Sequence, residues 1–228
     1  MEVLIFSFGD ILNPKNGYLI RVNQIYECMS SFSHVEVIQF SSQGASDNSI
    51  KTYKIKSNYL SYFLNFTAKS ITLIPTIRRF SVVIIEGSMF LPFGVIAKLL
   101  GKKVVYDSHG SLVELAKGLK GVKNLVFRRV IGGLLDRVTT VISDIVLTVS
   151  ESDAEVFKKY TKRKDKVVVV RHAIDTSKVP FYEVQNDRVR VGIFVGNLNS
   201  VQNYSAVKEL IKIAERVPDV KFLVIGEG

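Results

Sequence analysis

Eight short apolar runs punctuate the chain: VLIFSF (3–8), VEVIQF (35–40), VVIIE (82–86), KVVYD (103–107), IVLTVS (145–150), KVVVVR (166–171), VGIFVG (191–196) and KFLVIG (221–226). Most are continuous in Val, Ile, Leu and Phe and do not alternate with polar residues. A strand covered on one face alternates, whereas a strand covered on both does not, and the second pattern marks a parallel sheet between helices. The stretches between the runs are long enough for crossover helices. A weaker strand is predicted over 51–56 (KTYKIK). The clearest helix is predicted over 122–142, where Val126, Val130, Leu134, Val138 and Val141 recur at steps of three and four and form one apolar stripe. Gly132 and Gly133 weaken it, and close helix packing is a reason for them. Ser150, followed by Glu151 and Asp153, predicts another helix start.

The segment 172–189 is polar, contains Pro180 and fits neither period, so it reads as a linker. The predicted fold class is α/β, with a Rossmann-like parallel-sheet domain over 1–180 and the start of a second Rossmann-like domain over 181–228. The second region reads as strand, glycine, helix (203–216) and strand, which is one βαβ unit. Two strands and one helix cannot bury a core alone. That domain is therefore expected to be incomplete in this chain, or to lean on the first domain or a partner chain.

Composition agrees with a globular protein: 228 residues, 47% hydrophobic and 23% charged. No apolar run approaches the roughly 20 residues of a membrane-spanning helix. The N-terminus MEVLIFSFGD reads as a strand and not as a signal peptide. Cys28 is the single cysteine, which fits a reducing, cytoplasmic setting. The net charge of +10 is uneven: residues 98–137 carry nine basic and three acidic side chains, and 158–171 carry seven and one. Such a surface attracts phosphates, whether of a nucleotide, an anionic lipid or a nucleic acid. A solvated basic face is the plainer reading. Nothing resembles a recognition helix or an RNA-binding aromatic motif, so no nucleic acid is expected. Residues 53–80 mix aromatic with basic side chains, which suits either an amphipathic helix packed on the sheet or contact with an anionic membrane surface.

In parallel sheets chemistry collects where strands end and helices begin. Four such junctions stand out. After the first strand, Asn16 and Gly17 open a helix whose backbone N–H groups suit an anion. The dinucleotide fingerprint GxGxxG is absent. In YDSHGS (106–111), Asp107, His109 and Gly110 stand at a strand's end. A histidine there can meet a sugar hydroxyl or developing charge, or simply pair with Asp107. A third strand ends in Arg171 and His172. In FVGNLNSVQN (194–203), Gly196 and Asn197 lead to a helix starting near Gln202, and Gly226 repeats a strand-to-glycine turn. No His/Cys/Asp/Glu cluster at metal-ligand spacing is read from the sequence, so no metal is expected.

Taken in order, NPKNG, YDSHG, TVSES, VVVVRHAID, FVGNLNSVQN and FLVIGEG resemble the motifs of retaining glycosyltransferase family 4, of the two-domain GT-B kind. The resemblance implies sugar transfer from a UDP- or GDP-sugar donor to a saccharide or lipid-linked acceptor, with retention and without a cofactor. It implies that His109 is catalytic, and that Asn16, Gly17, Asp107, Gly110, Arg171, Gly196, Asn197, Gln202 and Gly226 bind substrate. It also implies a cytoplasmic protein, peripheral at the membrane face. The family commonly carries an Arg and a Lys where this chain has Asn197 and Gln202, and neutral amides supply no charge to a diphosphate. The chain also stops before the family's paired-glutamate motif, so a second chain completing the donor domain enters the expectations. A non-catalytic partner subunit is the first alternative. A basic nucleic-acid-binding α/β protein is the second.

Overall fold

A computed structural model describes residues 1–14, 16–41, 49–54, 59–113, 122–174, 176–180, 190–198 and 201–227, with side chains described except at 59–64, 122–129, 178, 201 and 202. The chain divides into two compact units, Met1–Leu115 with Val126–Ile174, and Ala116–Leu125 with Asp175–Gly228. The first unit runs β1 (Glu2–Phe8), α1 (Gly17–Ser30), β2 (His34–Ser41), β3 (Ile50–Lys54), α2 (Tyr59–Thr72), α3 (Ile74–Arg78), β4 (Val82–Glu86), α4 (Leu91–Leu99) and β5 (Lys103–Ser108). It continues with α5 (Val122–Ile142), β6 (Ile145–Thr148), α6 (Glu151–Lys158) and β7 (Val167–Val169). Its sheet has the order β3-β2-β1-β4-β5-β6-β7, and every pairing is parallel.

The continuous apolar runs are explained by two separate cores, one on each face. Val3 and Ile5 of β1 join Leu19 and Val22 of α1, with Val35, Val37 and Ile84, on one side. Leu4 and Phe6, the alternate residues, join Phe66 of α2, Phe93 and Ala97 of α4, and Phe157 of α6 on the other. The second core is aromatic: the Phe6 and Phe93 rings stack at 4.3 Å, and Phe66 stacks on Phe90 at 5.2 Å. Each pair adds about 0.5–1.5 kcal/mol beyond its buried area. Phe66, from the aromatic and basic stretch, is thus a core residue, and Lys69 lies over the Tyr53 ring at 4.8 Å. No helix among the described residues is long and apolar enough to cross a membrane.

Boundaries shift where side chains terminate an element. The strand predicted over 145–150 stops at Thr148, because Ser150 is the N-cap of α6 and accepts from the Asp153 N–H. The run at 166–171 forms a strand only over Val167–Val169, because Lys166 ends a short 3₁₀ turn. Of the strand predicted at 51–56, the described part begins at Ile50 and runs to Lys54, and 55–56 lie outside the described residues.

Helix α5 has the predicted span but turns differently. In its described part Val130, Leu134 and Val141 are exposed, whereas Gly132, Asp136, Thr139 and Thr140 are buried. The inner face is made by close approach and polar contact. A Cβ on Gly132 would lie 2.9 Å from the Leu112 Cβ, and Asp136 accepts from the Ser111 hydroxyl and the Leu112 N–H. Lys166 closes the end of this helix, its Nζ donating to the carbonyls of Thr140 (2.6 Å) and Ser143 (2.9 Å). A cation at a helix C-terminus satisfies carbonyls that have no intrahelical partner.

The second unit contains β8 (Val191–Val195), α7 (Val201–Ala214) and β9 (Lys221–Ile225), with β8 and β9 parallel. Ile193, Val195 and Ile225 are more than half exposed, as expected of two strands carrying one helix.

Lys166→Met keeps the aliphatic stem and removes the donors. It is expected to cost about 1–3 kcal/mol in urea unfolding, through buried carbonyls left unsatisfied. An unchanged midpoint would show that the cap is dispensable.

Candidate active site

The sheet order reverses between β1 and β4: from β1 the chain moves outward to β2 and β3, then returns on the other side to β4. Crevices form at the carboxyl ends of strands flanking such a switch point. Here those ends are Ser7, Phe8 and Gly9 of β1 and Glu86 and Gly87 of β4, with Asp107, Ser108 and His109 of β5 alongside. Gly9 and Gly87 adopt φ of 77° and 97°, which lets the chain turn sharply away from both strand ends.

Glu86 and Asp107 are in register on adjacent parallel strands, so their carboxylates emerge side by side, both fully buried. Two ionised carboxylates cannot stand there uncompensated. Arg21, from α1, compensates one. Its Nε and Nη2 donate to the two Asp107 oxygens at 2.7 Å each, and its Nη1 donates to the Val170 carbonyl at 2.6 Å. Arg21 is itself only 2% exposed. Burial opposes its charge, but the hydrogen bond and charge of Asp107 hold the guanidinium above its ordinary pKa.

Glu86 receives no such partner. Burial, reinforced by the Asp107 charge, raises its pKa well above the ordinary value. Its Oε2 lies 3.0 Å from Nε2 of His109, and its Oε1 is buried without a hydrogen-bond partner. His109 lies farther, 3.5 Å, from Asp107. Burial lowers the His109 pKa to about 4, and Asp107 only partly offsets this. With His109 uncharged, the Glu86–His109 contact is a hydrogen bond and not an ion pair. Tyr18 completes the setting: its ring packs on His109 at 4.4 Å, and its hydroxyl accepts from the Phe8 N–H and reaches the Glu86 carbonyl.

Glu86, Asp107 and His109 present ligand atoms within 4.8 Å of one another. The Arg21 guanidinium already occupies both Asp107 oxygens, so a divalent cation would have to displace it. The donor set fits an arginine clasp better than a metal.

The structure thus brings Asp107 and His109 together as the sequence places them, but Asp107 is turned inward onto Arg21. Asn16 is the N-cap of α1, its side-chain oxygen accepting from the Leu19 N–H at 2.9 Å, and Gly17 opens onto free space. Gly110 follows His109 with φ of 121°. Arg171 is exposed and pairs loosely with Glu151 at 3.7 Å. In the second unit, Gly196 and Gly226 approach so closely that a Cβ on Gly226 would overlap the Gly196 carbonyl. Asn203 donates to the Asn197 carbonyl and holds this turn, and Gln202 lies in the first turn of α7. Arg21, Tyr18 and Glu86 were not singled out from the sequence. Glu86 closes an apolar strand, and a carboxylate ending a run such as VVIIE was the one available signal.

Arg21→Met leaves Asp107 buried without its partner and is expected to cost about 3–5 kcal/mol in denaturant unfolding. Two groups set opposite pH dependences. His109, depressed to about 4, contributes stability present above pH 6.5 and lost as pH falls toward 4. Asp136, raised by burial to about 6, contributes stability present below pH 3.8 and lost as pH rises through 6. Wild type should therefore lose stability relative to Asp136→Asn over that second interval. A constant difference across it would contradict the assignment.

The sequence profile of Glycosyltransferase Family 4 matches residues 34–178. No curated protein sequence matches significantly. Similar solved structures include the lipopolysaccharide outer core galactosyltransferase WaaB in its apo form (15% identity, 99% of this chain and 68% of that one, TM-score 0.57). HepE of Anabaena in complex with UDP is also similar (13% identity, 99% and 69%, TM-score 0.58). So is the UDP-GlcNAc 2-epimerase of Neisseria meningitidis bound to UDP-GlcNAc (14%, 98% and 65%, TM-score 0.56). At these identities the likeness is one of fold, a Rossmann-like α/β architecture of the GT-B type. The profile match spans well over half of the residues, including the strands that carry Glu86 and His109, and on that ground the chain belongs to glycosyltransferase family 4.

Proposed function

We propose that this protein takes part in sugar transfer from a nucleotide-diphosphate sugar, UDP- or GDP-linked, to a saccharide or lipid-linked acceptor, with retention at the anomeric carbon. The bond from that carbon to the diphosphate oxygen breaks, and the acceptor oxygen bonds on the same face while its proton passes to the leaving group. The observation that carries the reading is His109, held uncharged at the switch-point crevice of a family 4 chain. A neutral imidazole can hydrogen-bond a sugar hydroxyl without repelling a cationic, oxocarbenium-like centre. The complexes of similar folds with UDP and UDP-GlcNAc support a nucleotide-sugar ligand.

In this reading the N-terminus of α7, with the Asn197 and Gln202 amides, meets the diphosphate, an electrostatic role. On the first unit Asn16 and Gly17 approach the phosphates or acceptor, and Asp107, Gly110 and Arg171 border substrate; on the second, Gly196 and Gly226 belong to the donor side. No cofactor is invoked. The protein would work in the cytoplasm, at the membrane face when its acceptor is lipid-linked. A second reading, a partner subunit that binds without turnover, is favoured by the neutral Asn197 and Gln202 where basic residues are usual in the family.

Calorimetry with UDP and GDP, followed by donor-consumption assays, separates these readings. Binding of one nucleotide with turnover is expected, and His109→Ala should lower kcat about 10²–10³-fold while leaving nucleotide binding nearly intact. Binding without turnover would favour the partner subunit. Absence of binding to either nucleotide, or wild-type turnover by His109→Ala, would overturn the proposal.

A further inference from the structure

The Glu86–His109 contact can be made in two ways, and they predict opposite chemistry. In the commoner arrangement an ionised carboxylate accepts from a histidine N–H, fixes the ring and raises its affinity for a proton. In the other, a protonated carboxyl donates to the bare ring nitrogen. We propose that the second holds here: Glu86 is a positioning residue whose buried carboxyl donates from Oε2 to Nε2 of His109, fixing the imidazole as the Nδ1–H tautomer.

Three features of the geometry favour it. The first is the orphan oxygen: Oε1 of Glu86 is buried and receives a hydrogen bond from no described donor. For an ionised carboxylate that would strand a charged oxygen in a dry site, the costliest outcome for a buried polar atom. For a carboxyl protonated on Oε2 it leaves only a carbonyl-type oxygen. The second is the neighbour: Asp107 stands in register beside Glu86 and is the carboxylate that Arg21 holds ionised. A second negative charge there would meet like charge at close range. The third is where the cation is directed: the three nitrogens of Arg21 donate to Asp107 (Nε and Nη2) and to the Val170 carbonyl (Nη1), not to Glu86.

The groups facing the pair, among the described residues, are few. From β1 and α1 come the Ser7 hydroxyl, Tyr18 and Arg21. From β5 come Asp107 and Ser108. His172 lies close enough for its charge, if gained, to oppose one on His109. Asp107 also lies within hydrogen-bonding reach of the Glu86 carboxyl and raises it further, and the Arg21 charge acts the other way but is outweighed by burial and Asp107. The pKa directions, upward for Glu86 and downward for His109, follow from the same burial.

With Nε2 occupied, Nδ1 is the ring nitrogen left to donate to a ligand, and the ring stays neutral where an ordinary histidine would charge. The catalytic consequence rests on the reading of His109 given above, whereas the tautomer itself does not.

The test is long-range ¹H–¹⁵N correlation of ¹⁵N-histidine-labelled protein, without any ligand. Wild type is expected to show a pyrrole-type Nδ1 and a pyridine-type Nε2 at His109, unchanged from pH 8 down to about 5. Glu86→Gln, which keeps shape and an N–H donor, should retain that tautomer and remain within a few-fold of wild-type kcat. Glu86→Leu should release the ring to a tautomer mixture and lower kcat about 10–100-fold with KM changed less. An Nε2–H tautomer in wild type would overturn the proposal, as would the same single tautomer in folded Glu86→Leu. The spectrum reads the tautomer whether or not the protein turns over donor. Its failure is therefore distinct from that of the activity, which His109→Ala tests separately.

Discussion

A buried guanidinium ties together three parts of the first unit that are far apart in sequence. Arg21 sits on the inner face of α1, yet its donors end on Asp107 at the tip of β5 and on the carbonyl of Val170 just past β7. Helix α1 is thereby pinned over the carboxyl edge of the sheet, across the point where strand order reverses. Burying an ion pair is not in itself strongly stabilising, because two charges leave water. What it does well is specify geometry: the bidentate fork accepts one orientation of the carboxylate. With Arg21 absent, the end of β5 would carry an unpaired buried charge, and the loop bearing His109 would lose its reference.

The rest of the site follows from that clasp. Register places Glu86 and Asp107 side by side, and only one of them receives the arginine. Burial and the Asp107 charge oppose ionisation of the other, whose Oε2 lies 3.0 Å from the imidazole. Tyr18, three residues before Arg21 and so near it on α1, packs its ring against that imidazole and ties its hydroxyl to the ends of β1 and β4. One helix therefore supplies both the charge that settles Asp107 and the wall that orients His109. The arrangement yields an uncharged histidine at the strand ends that flank the switch point.

Polar groups elsewhere in the unit act in the same economical way. Lys166 reaches the carbonyls ending α5, Asp136 receives the Ser111–Leu112 turn, and Asp144 accepts from the Val104 N–H and from Lys98. Each joins a loop to an element it does not follow in sequence. Glycine does the complementary work where backbones must nearly touch, at Gly132 against Leu112 and at Gly226 against Gly196.

The sequence by itself determined the architecture. Continuous Val/Ile/Leu/Phe runs can be satisfied only by burial on both faces, so the parallel sheet, its crossover helices and the strand ends where chemistry collects could all be read. His109 and Asp107 were found for that reason, from their place at the end of an apolar run. Which partners those residues take was decided by tertiary structure alone. Arg21 and Asp107 are 86 positions apart, and nothing in a helix reading GYLIRVNQ marks its arginine as buried. Glu86 looks like the solvent-facing end of a strand until the register of β4 and β5 sets it beside Asp107. The same limit explains α5, whose apolar periodicity named a stripe, while the buried face went to Gly132, Asp136 and the threonines. Periodicity reports which faces differ. It does not report which neighbour approaches, and the hydrogen bonds and close contacts that choose a face form only between segments distant in the chain.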